Sequence, residues 1–305
     1  MANTLDWEFF DLHGSMPLGP MVTAEEVTAL RTRADDLALG HFRNNRVVIQ
    51  RDTGGSYEDL PSAEPQSEEG SLCYRKINGL ESDELFSVLL RHPLCDEIFR
   101  KIYGHHAGMS TFRAMVMNKP AHQGTELPWH QDGGTVWQLD RDPLMTVWIA
   151  LDDATKEKGC VEVVTGSHHL GLLSTYGSTI TEKDAYRHCA APRQRYLELP
   201  AGHGFLLHNW LIHRSGTNQT GDPRRAFTAC FMDARTTNLL TGDYFPLVRG
   251  PQWPVPHFLE QLRLEREELG QSAQRSEEYA LSLRAALNQK ELELQEFRES
   301  GSQPS

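Results

Sequence analysis

The segment LPWHQDGGTVW, Leu127 to Trp137, sets a histidine and an aspartate two residues apart, between a tryptophan and a pair of glycines. Side chains alternate faces along a β-strand, so residues i and i+2 point the same way. In extended backbone, His130 and Asp132 therefore aim one imidazole and one carboxylate at a common point. Such a pair suits a metal ion such as Fe(II), provided a second histidine arrives from elsewhere in the chain. With 14 histidines and 42 acidic residues available, the pattern alone is unspecific, and a polar turn after a strand is the ordinary alternative.

The run LLHNWLIHRSGTNQTGDPRRAF offers the missing histidine twice. His208 sits within the apolar strand, where a structural histidine is the commoner outcome. His213 sits at the strand's end, where metal sites in barrels open. Ser215 and Arg224 follow it, and the turn GTNQTGDP between them returns Arg224 on the next strand beside His213. An arginine near a metal centre can grip a carboxylate through two parallel hydrogen bonds. Three metal ligands and an anion clamp in one small volume are far more specific than the histidine–aspartate pair alone.

These segments resemble the phytanoyl-CoA dioxygenase family of Fe(II)- and 2-oxoglutarate-dependent oxygenases. The resemblance covers roughly Leu72 to Ala234 and is carried, in order, by CYRKINGL, MVMNKP, LPWHQD, TVWIALDDATKEKGCVEVVTGSH and LIHRSGTNQTGDPRRA. It implies a double-stranded β-helix with iron held by His130, Asp132 and His213. It also implies that Arg224 binds the distal carboxylate of 2-oxoglutarate with Ser215 beside it, and that Lys76, Met115 and Trp148 line the same pocket. Thr146 shares a strand face with Trp148 and is expected to contribute. Three protein ligands leave three positions on the metal, two for the 2-oxo acid and one for dioxygen. The implied products are succinate, carbon dioxide and an oxidised substrate. Related halogenases carry a small residue in place of the carboxylate, so Asp132 favours hydroxylation, desaturation or ring formation over chlorination.

Strand parity extends this reading. The family spacing selects Arg224 over its neighbour Arg225, and Ala226, Thr228 and Cys230 give Arg224's face small residues suited to a filled interior. Phe227 and Phe231 share Arg225's face and are expected under outer helices, with Arg225 itself meeting solvent or a sheet edge. Arg113 shares parity with Met115 and is expected to point into the same barrel, either binding a substrate anion or pairing with a core carboxylate. His168 and His169 follow a Gly-Ser turn and read as surface-loop histidines. His105, His106, His122, His188 and His203 carry no ligand-like spacing.

The elements around these motifs set the architecture. Short β-like runs from Thr111 to about Arg235, separated by glycine-bearing turns, predict an antiparallel barrel or double-sheet jelly roll. There is no βαβ repeat, no GxGxxG and no P-loop, which disfavours a nucleotide-binding doubly wound fold. Upstream, the pattern is helical and mixed. Thr23 is a plausible N-cap for a helix running through about Leu39 to a stop at Gly40. Helical spacing over Asp83 to Tyr103 is divided by Pro93. The polar stretch PSAEPQSEEGS, Pro61 to Ser71, reads as an exposed loop. The overall expectation is a mainly β fold with flanking helices. A single jelly-roll, cupin-like catalytic domain spans 1–255, with N-terminal helices over 1–108 and the β core at about 109–235. An amphipathic helical tail follows over 256–298, and 299–305 should fray. An apolar seam over 259–297 fits either a helix lying on its own domain or a coiled-coil partner helix making a homo-oligomer.

Composition bounds the partners. With 305 residues, 39% hydrophobic and 24% charged, the chain can bury a substantial core. A net charge of -12 argues against nucleic acid and anionic membrane surfaces. The opening MANTLDWEFFDLHG predicts no signal peptide, and no apolar run spans a bilayer. Five widely spaced cysteines without a CxxC read as reduced residues of a cytoplasmic protein. The expectation is an Fe(II)-, 2-oxoglutarate- and O2-dependent dioxygenase acting on a small natural-product or amino-acid-like molecule. The alternatives are a metal-binding module without turnover that assembles through its C-terminal helix, and a non-redox cupin-like metalloenzyme.

Overall fold

The computed structural model describes residues 5–250 apart from Glu68, His106 and Thr175, together with Gln271, Gln274, Glu278, Ser282 and Gln289. The chain divides into two compact units, Met1–Pro251 and Gln252–Ser305. The five described positions of the second unit are helical and exposed. The rest of the expected tail helix, its seam and the frayed terminus lie outside the described residues.

The elements of the first half are α1 (Trp7–His13), β1 (Ser15–Pro20), α2 (Ala24–Leu39), β2 (Val48–Arg51), β3 (Glu64–Pro65), β4 (Tyr74–Asn78), α3 (Glu84–Leu90) and α4 (Pro93–Tyr103). The second half runs β5 (Met109–Lys119), β6 (Leu127–Gln131), β7 (Met145–Ala150), β8 (Val161–Val164), β9 (Ser178–Thr179), α5 (Glu182–His188), β10 (Gln194–Leu197), β11 (His203–His208), β12 (His213–Ser215), β13 (Arg224–Asp233) and β14 (Leu247–Arg249).

Helix boundaries follow local chemistry. The Thr23 hydroxyl accepts from the Glu26 N–H while the Glu26 carboxylate accepts from the Thr23 N–H, closing a capping box at the start of α2. Gly40, at φ 75°, ends that helix in a left-handed conformation. Pro93 opens α4 at a position where its missing N–H costs nothing.

Among the described residues, two antiparallel sheets form. The larger has nine strands in the order β1-β11-β7-β13-β5-β4-β2-β3, with β14 also paired to β5; the smaller has the order β10-β8-β12-β6-β9. The N-terminal segment, expected to be helical and mixed, thus also contributes β1 to β4 to the larger sheet. The stretch 61–71 is mostly exposed, as expected, but includes β3, which pairs with β2.

Alternation along the larger sheet sorts its side chains onto two faces. Val116, Val147, Ile149, Leu206, Phe227 and Phe231 join residues of α2, α3 and α4 in the main core. Trp148, Ala150, Phe205, Leu207 and Ala226 point the other way and pack with Val161 and Val163 of the smaller sheet. Phe227 stacks on Phe86 of α3, their centroids 5.6 Å apart. The sandwich therefore holds its second core between the sheets, and the functional cavity opens beside that core.

Candidate metal centre

β12 pairs with β6 so that His213 stands directly opposite His130, with ring centroids 4.0 Å apart. Asp132, one residue beyond β6, is anchored by its N–H donating to the Asn209 carbonyl at 2.8 Å. His130, Asp132 and His213 offer ligand atoms that all lie within 4.8 Å of one another. The expected pairing of His130 and Asp132 on one side of the backbone is realised even though the regular strand stops at Gln131.

The protonation of this cluster suits a cation. The Nδ1 of His130 lies 2.9 Å from the Pro128 carbonyl, and that of His213 lies 2.8 Å from the Leu211 carbonyl. A carbonyl only accepts, so each neutral ring carries its proton on Nδ1 and keeps a lone pair on Nε2. Burial, aided by His213, pushes His130 down to about 3, so it is neutral at physiological pH. Burial pushes Asp132 upward, but Arg113 and then the two histidines outweigh it, holding the carboxyl below its ordinary value. Two imidazoles and a carboxylate are the donor set that Fe(II) takes in two-histidine, one-carboxylate centres. The residues fit the metal.

A cavity of about 190 Å³ is lined by these three residues and by every other residue the sequence singled out: Arg224, Ser215, Trp148, Met115, Lys76, Thr146 and Arg113. Arg224 is 2% exposed; its Nη2 donates to the Gly159 carbonyl at 2.9 Å, while its Nε has no partner. Burial draws its guanidinium down to about 10, which leaves it charged at neutral pH. Its Cζ lies 5.7 Å from the Trp148 ring, which stacks on Phe205 at 5.0 Å. A buried cation with an unmatched donor calls for an anion. Lys76 is pulled by burial, with Arg75 and Arg113 adding to it, down to about 7. The Thr146 hydroxyl donates to Asn209 Oδ1 at 2.9 Å and so acts through that residue.

Two glycines follow Asp132 because two loops cross there. Gly133 and Gly134 have φ of 139° and 84°, and a Cβ on Gly134 would lie 2.7 Å from the backbone of Gly177. The Gly134 N–H donates to Asp142 at 2.8 Å and the Val136 N–H to the Tyr176 carbonyl at 2.9 Å, fixing the turn that carries Trp137.

Several expectations change. His168 is buried rather than a surface-loop residue; its ring packs against His169 and His208, and its Nε2 lies 2.9 Å from the Asp11 carbonyl. His169 is exposed. Arg225 is mostly covered rather than open to solvent, its side chain 11% exposed and gripped by Asp152 and Asp35. Arg113 does pair with a carboxylate, but that carboxylate is Asp132, at 3.1 Å. No described residue of 61–71 lines the cavity. His208 stays outside the metal cluster, its Nδ1 accepting from the Trp210 N–H at 3.1 Å.

The sequence reading missed three supporting residues. Asn209, fully buried, holds both the Asp132 backbone and Thr146. Gln131 donates to the Gly171 and Trp210 carbonyls and accepts from the Leu173 N–H, tying the loop after β8 to β6. Trp137 lines the cavity and stacks on Phe112 at 4.7 Å. A polar residue on the strand face opposite His130 and Asp132 was the available signal for Gln131; nothing local marked Asn209.

Comparison with known proteins agrees with this geometry. A family model described as phytanoyl-CoA dioxygenase matches residues 10–226. The chain is 29% identical over 203 residues to L-proline trans-4-hydroxylase of Streptomyces griseoviridis, covering 59% of this chain and 74% of the relative. It is 29% identical over 252 residues to phytanoyl-CoA dioxygenase 1 of Oryza sativa subsp. japonica, covering 74% of this chain and 87% of the relative. Among solved structures, the epimerase SnoN in complex with Fe3+, alpha ketoglutarate and nogalamycin RO is similar in fold. Its TM-score is 0.58 at 19% identity, covering 79% of this chain and 96% of that one.

Proposed function

The chain belongs to the phytanoyl-CoA dioxygenase family, and on that premise we propose that it is an Fe(II)- and 2-oxoglutarate-dependent dioxygenase that oxidises a small metabolite. The observation that carries this reading is one cavity holding both a His130–Asp132–His213 cluster and a buried arginine with an unmatched donor. A metal-binding module without turnover would have no use for that arginine.

His130, Asp132 and His213 would hold the iron, and the Nδ1–H bonds to Pro128 and Leu211 keep both Nε2 lone pairs aimed inward. Arg224 and Ser215 would take the distal carboxylate of 2-oxoglutarate, with Trp148, Met115, Thr146 and Lys76 as walls. Bound together, Fe(II), 2-oxoglutarate and dioxygen supply an oxidative decarboxylation, to succinate and carbon dioxide, that oxidises a substrate C–H bond. The Trp148–Phe205 stack and Val161 give that end an apolar lining that excludes water. The Arg113 N–H donates to Asp132 Oδ1 and so orients the carboxylate. The likeness to an L-proline hydroxylase supports an amino-acid-like substrate. Purified protein given Fe(II), air and 2-oxoglutarate should release succinate without added substrate, at a low rate; no succinate under any metal loading would refute the reading.

A further inference from the structure

The cavity holds more positive charge than the metal and co-substrate can use. Arg214 is matched by Glu162 at 2.7 Å. Arg224 and a divalent metal would be matched by Asp132 and the two carboxylates of 2-oxoglutarate. Arg113 is left over, beside Lys76, which at about 7 carries only part of a charge at neutral pH. Its Nη2 reaches Asp132, its one hydrogen-bond partner among the described residues, and its side chain is 29% exposed toward the cavity. An unbalanced cation in a partly dehydrated cavity attracts an anion more strongly than it would in water.

The backbone is shaped to present this group. The β13–β5 ladder steps from Cys230 opposite Arg113 to Phe231 opposite Thr111, so Phe112 is an extra residue in a β-bulge. Bulges bend a strand and re-aim its side chains, and they concentrate beside active sites. Arg113 itself keeps the register of Met115 and points inward, its guanidinium 4.5 Å from the Trp137 ring centroid, while the bulged Phe112 sets its ring 4.7 Å from the same indole. Trp137 is itself fixed by the Gly134 and Val136 hydrogen bonds. A planar donor fork, steadied by an aromatic face and tied to the aspartate that would hold the metal, forms a rigid carboxylate seat.

Building on the dioxygenase reading, we infer that the substrate is itself a small carboxylic acid whose carboxylate docks on Arg113 beside Trp137. Asp132 would then hold the iron while its partner Arg113 holds the substrate anion. This places the oxidised carbon close to the acid group, and it makes Arg113 a specificity-determining residue.

An anaerobic titration tests this without turnover. Protein loaded with Fe(II) and saturating 2-oxoglutarate should show the visible charge-transfer absorption of an iron–2-oxo-acid complex; its absence overturns the dioxygenase reading and the inference with it. With the band present, L-proline and a set of small 2-amino and 2-hydroxy acids are added, each beside its primary amide. At least one acid should shift the band, and its amide should need roughly ten- to hundredfold higher concentration. Amides that shift the band as readily as acids, or acids that never shift it, overturn the inference while leaving the dioxygenase reading intact. Arg113→Lys keeps a charge for Asp132 but loses the planar fork, so the acid should be needed at about tenfold higher concentration. An unchanged requirement in that variant also overturns it.

Discussion

Arg224 and Arg225 are neighbours in sequence and stand on opposite faces of β13. Arg225, on the outer face, is fully engaged: its Nε and Nη2 donate to Asp152, and its Nη1 donates to both oxygens of Asp35. Arg224, on the inner face, reaches a single carbonyl and leaves its Nε unmatched. The same side chain is thus structural in one place and waiting for a ligand in the other. What separates them is whether the fold itself supplies the counter-charge. The histidines divide the same way: His130 and His213 present free Nε2 atoms to a cavity, whereas His208 is tied to the Trp210 backbone.

The strongest way to break this comparison is to empty the inner side. His130→Ala, Asp132→Ala or His213→Ala should abolish turnover and lose most bound iron, because two protein donors hold Fe(II) poorly. His208→Ala should retain the metal, as metal analysis of the four proteins will show. A smaller effect separates the arginines. Arg224→Gln should raise the 2-oxoglutarate requirement roughly ten- to hundredfold, with stability little changed. Arg225→Gln should do the reverse, losing about 1–2 kcal/mol of unfolding free energy by removing the guanidinium from Asp35 and leaving Asp152 with only Arg31 and a backbone N–H, with an unchanged 2-oxoglutarate requirement. Denaturant unfolding beside co-substrate titration decides; a matching pattern in both variants would erase the distinction.

The third test concerns pH. Burial, then His168 and His169, pull His208 down to about 4, so the unfolded chain takes up its proton first as the medium is acidified. The stability this neutral ring contributes is complete above the ordinary histidine value near 6.5. It is lost as pH falls toward about 4, at up to roughly 1.4 kcal/mol per pH unit. His208→Asn keeps an acceptor for the Trp210 N–H and should flatten the unfolding profile over that window by about one proton. An unaltered slope would show that His208 is not the group responsible.

Much of this was legible because it rests on period-two alternation and local caps. The parity that put Arg224 inward also put Phe227 under α3, and Thr23 with Gly40 framed α2 to the residue. What escaped reading depends on contacts between distant segments. SMPLGP carries two prolines and a glycine, yet it forms β1 because it lies at the edge of the larger sheet, where missing donors are tolerated. The bulge at Phe112 breaks alternation without any local mark. His168 became buried only because α1 folds over it, with Gly14 leaving space where a Cβ would sit 2.5 Å from its Nδ1.

The division of the site between the two sheets carries a consequence for the protein's lifetime. His130 and His213 come from β6 and β12 of the smaller sheet, while Arg224 comes from β13 of the larger. A 2-oxoglutarate molecule bound as proposed, one end on the metal and the other on Arg224, would be a cross-brace clamping the sandwich shut. Its binding energy would count toward folding as well as catalysis, adding about 2.7 kcal/mol at a hundredfold excess over its dissociation constant. Proteases that sample the opened state would then clear the starved enzyme faster than the fed one, so that metabolite supply would set abundance as well as rate.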